Sequence, residues 1–181
     1  EAPLFLVGHS MGSLVSAVFL THRQKDFAGA VLSGAGAVKV PDSISSATIL
    51  AGKVFSVVMP KIGLIGLDAN GVSRDPSVVR AYVEDPLVYT GKTTARLAAE
   101  ILKAMQRIPQ EAARITLPIL LLQGGADKLV DPAGAQMLFE TVQSPDKTLK
   151  MYDGLYHEIF NEPERDQVLG HMEQWLENHM H

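Results

Sequence analysis

The chain has 181 residues, 46% of them apolar and 20% charged, which suits a soluble globular class and one domain with a real core. Its net charge of −4 offers no long-range attraction to nucleic acid, so that class of partner is set aside. Cysteine is absent, which removes disulfides, thiolate nucleophiles and thiolate-held metals together.

From the front, residues 4–7 (Leu-Phe-Leu-Val) form an apolar run between Pro3 and Gly8, read as a strand buried on both faces. From Met11 the spacing turns helical through Leu14, Ala17, Val18 and Leu20, until His22, Arg23 and Gln24 end it. A second short strand is expected at 29–32, closed by Ser33-Gly34-Ala35-Gly36. Residues 38–114 break the alternation and read as a helical insertion. It holds an apolar segment at 49–67, a polar turn at 68–76 and an amphipathic helix near 93–107. The apolar segment is interrupted by Gly52, Lys53, Pro60 and Lys61, and no uninterrupted apolar run reaches the roughly 18–20 residues of a membrane span. A third strand is expected at 119–122 and a fourth at 148–152, with helices at about 132–142 and 163–180. Strands alternating with helices predict a parallel sheet covered on both faces, with a core of 1–37 and 115–181. The chain opens at Glu1 with no secretory signal, and the natural N-terminus is expected to lie upstream.

Gly8-His9-Ser10-Met11-Gly12 fits G-x-S-x-G between a strand and a helix. Serine is a weak nucleophile unless a base is aimed at it and a tight turn exposes its oxygen. Both glycines are expected to be needed because a Cβ at either would collide with neighbouring chain. The same turn puts the N–H of Met11 at a helix start, where an oxyanion would develop. Chance alone gives such a motif in about 5% of chains of this size, so its placement after a strand carries much of the weight.

The partners should follow later strands in the order acid, then histidine. The third strand leads into Gly124-Gly125-Ala126-Asp127, beyond the carboxyl end where parallel sheets bind ligands. The fourth leads into Asp153-Gly154-Leu155-Tyr156-His157. His157 is therefore assigned as base and Asp127 as the group that orients it. Of the rivals, Asp131 precedes Pro132 and reads as a helix cap, and Asp153 as turn chemistry. His9 is expected to be aimed away from the nucleophile and to pack beside the turn. His22, His171, His179 and His181 are read as solvated, and Ser33 as a loop residue. Glu158 and Glu162 stand open between loop charges and support of the site.

Four blocks in order carry a resemblance: PLFLVGHSMG at 3–12, FAGAVLSG at 27–34, LPILLLQGGADKLVD at 117–131 and DKTLKMYDGLYHEIFNE at 146–162. Together they resemble the monoacylglycerol lipases. The resemblance implies an α/β-hydrolase fold in which 38–114 is a cap admitting lipid. It also implies hydrolysis of monoacylglycerol to glycerol and fatty acid without metal or organic cofactor. Ser10, Asp127 and His157 fall on the family's triad, and Met11 on one of its two oxyanion donors. Ile49, Val54, Phe55, Val58, Ile62 and Ile65 become candidates to line the acyl tunnel, or simply to pack the cap on the core. The chain departs from the family at Ser13, where a second glycine is usual, and in having no cysteines near the site.

By resemblance, roughly the first third of the family's fold precedes Glu1, including the loop with the second oxyanion donor. The strand at 4–7 should then be an exposed edge, and the 181 residues alone should fold poorly and turn over slowly. The expected partners are a lipid ester and a lipid interface, and the expected location is cytoplasmic or peripheral to a membrane. A general carboxylesterase, lysophospholipase or thioesterase on the same triad is the second reading. A non-catalytic lipid-binding domain of this fold is the third.

Overall fold

The computed structural model describes residues 2–180. Four strands form one parallel sheet: β1 (Phe5–His9), β2 (Gly29–Ser33), β5 (Ile119–Gly124) and β6 (Lys147–Tyr152), in the order β1-β2-β5-β6. Parallel neighbours need crossovers, and helices supply them: α1 (Met11–Leu20) joins β1 to β2, and α5 (Ala133–Thr141) joins β5 to β6.

The central strands are buried on both sides, and their side chains sort by the period of two. Ala30, Leu32, Ile119 and Leu121 join Leu14, Ala17 and Leu20 of α1 and Leu138 of α5 in one apolar cluster. Val31, Leu120 and Leu122 face the other way, onto Val168 and Trp175 of α6 (Arg165–Asn178). The strand at the front is not buried on both faces, and is instead the exposed edge that the resemblance leads one to expect. Phe5 and Leu6 are half-buried and Val7 is 50% exposed, because β1 pairs with β2 alone and lies at the sheet edge.

Between β2 and β5 the chain forms a short 3-10 turn and then α2 (Ser46–Val58), started by the Ser45 side chain accepting from the Thr48 N–H. Two features depart from an all-helical insertion. β3 (Gly63–Ile65) pairs antiparallel with β4 (Thr93–Thr94). The polar turn expected at 68–76 runs into α3 (Pro76–Glu84), where Asp75 caps the Ser77 N–H and proline occupies the first turn, a position that needs no amide donor. Last comes α4 (Ala95–Glu111), which roots the insertion in the core. Its Ile108, and Ala112 just beyond it, lie in the same cluster as Leu14 and Leu20. Among the described residues no helix is long and apolar enough to cross a membrane.

Candidate active site

The site is built from the turns that leave β1, β5 and β6 at their carboxyl ends. At the first, Ser10 has φ 53° and ψ −120°, the single non-glycine residue with positive φ among those described. Such a backbone costs on the order of 1–3 kcal/mol and persists only where its surroundings over-determine it. Here the Ser10 N–H donates to the Ser33 carbonyl at 2.9 Å. The fully buried Ser13 hydroxyl reaches both the Gly8 carbonyl (2.9 Å) and the Ser33 carbonyl (2.6 Å), bracing the turn from beneath. Ser13, noted in the sequence only as a departure from the family's usual glycine, is thus a structural part of the elbow.

The two motif glycines are not equivalent, which corrects the expectation for Gly12. A Cβ on Gly8 would stand 2.6 Å from Ser16 Oγ and 2.7 Å from the Gly12 carbonyl oxygen, whereas one on Gly12 would meet nothing within 4 Å. Within α1 the Ser10 carbonyl takes the N–H groups of Ser13 and Leu14. Among the described residues no acceptor takes the Met11 N–H, which belongs to the helix's unpaired first turn.

The structure brings Ser10, Asp127 and His157 together. Ser10 Oγ lies 2.7 Å from His157 Nε2, and His157 Nδ1 lies 2.7 Å from Asp127 Oδ2. A carboxylate can only accept, so the imidazole proton sits on Nδ1 and Nε2 accepts the serine hydroxyl. The Asp127 side chain is fully buried and that of His157 almost so. Burial pushes the Asp127 carboxyl up, but the hydrogen bond and charge of His157, with the N–H groups of Val130 and Leu129, outweigh it and hold the group below the usual carboxylate range. Those amides reach Asp127 Oδ1 at 3.1 and 2.8 Å.

Gln123 escaped the sequence reading. Fully buried on β5, it donates from Nε2 to Asp127 Oδ2 (2.9 Å) and to the Gly124 carbonyl (3.1 Å), and it accepts the Gly36 N–H at Oε1 (2.8 Å). The one available signal was a lone amide side chain inside the apolar run of β5, where a polar group must find partners.

Other predicted residues fall as follows. His9 does not touch Ser10. Its Nδ1 meets Ser33 Oγ at 3.1 Å, its Nε2 meets Glu158 Oε1 at 3.2 Å, and its ring centroid lies 5.0 Å from that of His157. Ser33 is no loop residue: it ends β2, fully buried. Asp131 accepts from the Ala133 N–H at the start of α5 and pairs with Lys39, whose ammonium lowers its carboxyl below the usual range. Asp153 lies in the turn whose Gly154 has φ +77°. Glu162 is buried against Arg74, with a side-chain contact of 2.5 Å.

Of the histidines read as solvated, His22 is indeed exposed, while His171 and His179 are partly buried and engaged. His171 meets the Tyr152 hydroxyl, His179 stacks on Trp175 and reaches Asp146, and His22 meets Arg107. None approaches Ser10, and His181 lies outside the described residues.

Ser10 and His157 open onto a cleft of about 250 Å³. Its apolar wall is Leu67, Val72 and Tyr82 from the insertion, with Leu129 and Val130 from the turn after β5, and Glu158 adds a carboxylate. None of the six tunnel candidates is in that wall. Val54, Phe55, Val58, Ile62 and Ile65 are exposed, from 37% at Ile62 to 71% at Val58, and Ile49 is half-buried. The reason is geometric: α2 buries only Ser56, leaving its apolar side chains on the outer surface. A second pocket of about 440 Å³ is lined by Lys128 and Tyr156 together with Arg74 and Arg80 of the insertion. Among the described residues no group of three or more His, Asp or Glu side chains is placed to hold a metal ion.

Comparison with known proteins bears on the family and the fold. The Hydrolase_4 family model, described as serine aminopeptidase S33, matches residues 1–164. A monoacylglycerol lipase of Mycolicibacterium smegmatis is 40% identical over 178 residues, which cover 98% of this chain and 63% of that protein. A monoglyceride lipase of Rattus norvegicus is 39% identical, with 97% and 59% covered. The chain thus spans about three-fifths of the length of these relatives. The crystal structure of the Paleococcus ferrophilus monoacylglycerol lipase superposes with a TM-score of 0.88 at 35% identity, covering 98% of this chain and 69% of that one. The fold is that of the α/β-hydrolases, and the resemblance carried by the four sequence blocks holds.

Proposed function

The chain belongs to that hydrolase family, and from this premise we propose that it hydrolyses carboxylic esters of lipid alcohols, monoacylglycerol foremost, through an acyl-enzyme on Ser10. The observation that carries the reading is the relay of two 2.7 Å contacts from Ser10 through His157 to buried Asp127, opening on an apolar cleft.

In the first step Ser10 Oγ bonds to the ester carbonyl carbon as its proton passes to His157 Nε2. The carbonyl oxygen becomes an oxyanion facing the Met11 N–H, and Asp127 stabilises the imidazolium. Collapse breaks the bond to the alcohol oxygen, which takes the proton from His157. In the second step water loses a proton to His157, attacks the acyl carbon and releases the fatty acid, and the proton returns to Ser10. Each half-reaction balances without a cofactor. The exposed apolar side of α2 rests on a lipid interface in this proposal, so the protein works at a membrane periphery or in the cytoplasm.

One observation favours a second reading. A cleft of about 250 Å³ lies below the roughly 300–1,000 Å³ usual for drug-sized ligands, which suits a carboxylesterase acting on short acyl chains. Hydrolysis measured across glycerol and p-nitrophenyl esters of rising chain length separates the two. A maximum at medium or long chains upholds the lipid substrate, and a maximum at acetyl esters removes it. Fluorophosphonate labelling that disappears in Ser10→Ala supports the enzyme, whereas an unlabelled protein would be a binding module.

A further inference from the structure

We infer that Glu158 is the group that selects the alcohol half of the substrate, accepting hydrogen bonds from the free hydroxyls of a neutral polyol ester. This inference rests on the ester-hydrolase reading above and names the feature of the alcohol that the site reads.

Glu158 follows His157 directly and is, among the described residues, the one carboxylate in the wall of the Ser10 cleft, where the other non-catalytic lining groups are Leu67, Val72, Tyr82, Leu129 and Val130. Its backbone is fixed, since its N–H donates to the Val72 carbonyl at 2.8 Å. Its side chain is 23% exposed and held at two points: Oε1 to His9 Nε2 at 3.2 Å, and Oε2 to Asn161 Nδ2 at 3.3 Å. His9 is itself held by Ser33 Oγ at 3.1 Å, so the carboxylate is steered from below without being saturated. A carboxylate offers about four acceptor sites, and these two long contacts use one on each oxygen. Burial opposes its charge, but the His9 contact and the charges of His9 and His157 keep the carboxyl below the usual range, so it stays an acceptor at neutral pH.

Such a group serves neither half of a fatty acid. An acyl chain gains from the apolar wall and loses against a charge, and the released carboxylate is repelled. An alcohol leaving group that carries further hydroxyls gains charge-assisted hydrogen bonds there, and a phosphorylated one meets like charge. The half of the cleft at Glu158 is therefore the alcohol side.

The test compares 1-monoacylglycerol with the ethyl ester of the same fatty acid in the same detergent, using the intact protein, Glu158→Ala and Glu158→Gln. The Ala variant is expected to lower the ratio of kcat/KM for glycerol ester over ethyl ester about tenfold, as for loss of one hydrogen bond to a charged acceptor. The Gln variant, with an amide oxygen still able to accept, should retain an intermediate ratio. Fluorophosphonate labelling of both variants shows whether the elbow is intact. A ratio within about twofold of the unaltered protein, or an equal fall for both esters, overturns the inference and places Glu158 behind His157 instead. If the unaltered protein cleaves the ethyl ester and not the glycerol ester, the monoacylglycerol reading itself fails, which the variants do not affect.

Discussion

The turns that carry Ser10, Asp127 and His157 and the insertion that overhangs them are held by different physics. In the turns the acid and the strand end beneath the elbow are tied more than once: Asp127 takes hydrogen bonds from His157, Gln123, Leu129 and Val130, and the Ser33 carbonyl takes two from the elbow. In the insertion, α2 buries only Ser56 while Leu50, Val54, Val57 and Val58 stay more than half exposed. The first region can hold strain at Ser10 because its neighbours leave no alternative. The second is rooted through α4 but leaves the apolar side chains of α2 in water, the pattern expected of a segment that opens at lower cost than the core. In the proposed function, chemistry is placed on the braced turns, and contact with a greasy substrate or surface is assigned to the insertion.

The largest expected effect lies in the turns. Ser10→Ala or His157→Ala should lower kcat for a soluble ester by about 10⁴-fold or more, and each alone should cost nearly as much as the pair, because the groups act as one unit. A fall of less than about tenfold in either would remove the relay as the basis of turnover. Next comes a contrast within the motif itself. Gly8→Ala forces a Cβ to within 2.7 Å of the Gly12 carbonyl and should destabilise by about 1–3 kcal/mol, with loss of activity as the elbow shifts. Gly12→Ala, with open space and a place in the first turn of α1, should stay within about 1 kcal/mol in either direction. Urea midpoints of the two variants decide it; equal losses would show that the elbow is crowded on both sides.

Much of the rigid region was legible because its signals are local. Gly8 to Gly12 is five consecutive residues, Asp127 follows an apolar run that ends in Gly124-Gly125, and His157 follows an alternating segment that ends in Asp153-Gly154. Gln123 and Ser13 were not legible, because their partners are remote: Gly36 lies 87 positions from Gln123, and Ser33 lies 20 from Ser13. In the insertion, Asp75-Pro76 is a local helix start that was read as a turn, while the pairing of Gly63 with Thr94 joins segments too far apart for periodicity to reveal. The tunnel candidates lie outside the cleft for a plainer reason. Hydropathy says that Val54 or Val58 prefers to leave water, but not whether core, cleft or lipid receives it.

Two intermediate tests sharpen the contrast. Gln123→Leu strips a donor from Asp127 and leaves the buried Gly36 N–H unpaired, which should cost about 1–3 kcal/mol of stability. Its kcat should fall more than its KM changes, since the amide reaches the acid and the Gly124 and Gly36 backbone but does not line the cleft; a pure KM effect would put Gln123 at the substrate instead. The acid limb of stability comes next. The carboxyls of Asp127, Asp131 and Glu162 all lie below their ordinary values in the folded chain, so their contribution is full above the unfolded pKa of about 4 and is lost as pH falls through the folded values. Tm should be level above about pH 5 and drop below about pH 4. Glu162→Gln should lower Tm at neutral pH and flatten that drop; an unchanged acid limb would mean that the Arg74 pair carries none of it.

The smallest effect on the fold is expected at the outer surface of the insertion. Val58 is 71% exposed and stands outside the Ser10 cleft, so Val58→Ser should move the urea midpoint by no more than about 0.5 kcal/mol and leave hydrolysis of a soluble short-chain ester unaltered. The same change removes apolar area from the surface proposed to meet lipid. Association with phosphatidylcholine vesicles, and turnover of emulsified long-chain ester, should therefore fall while the soluble reaction does not. A loss in the soluble assay would mean that Val58 reaches the acyl group after all, by a movement of α2 that brings its outer side over the cleft. The comparison would then break, because the loose region would be part of the catalytic geometry rather than its approach.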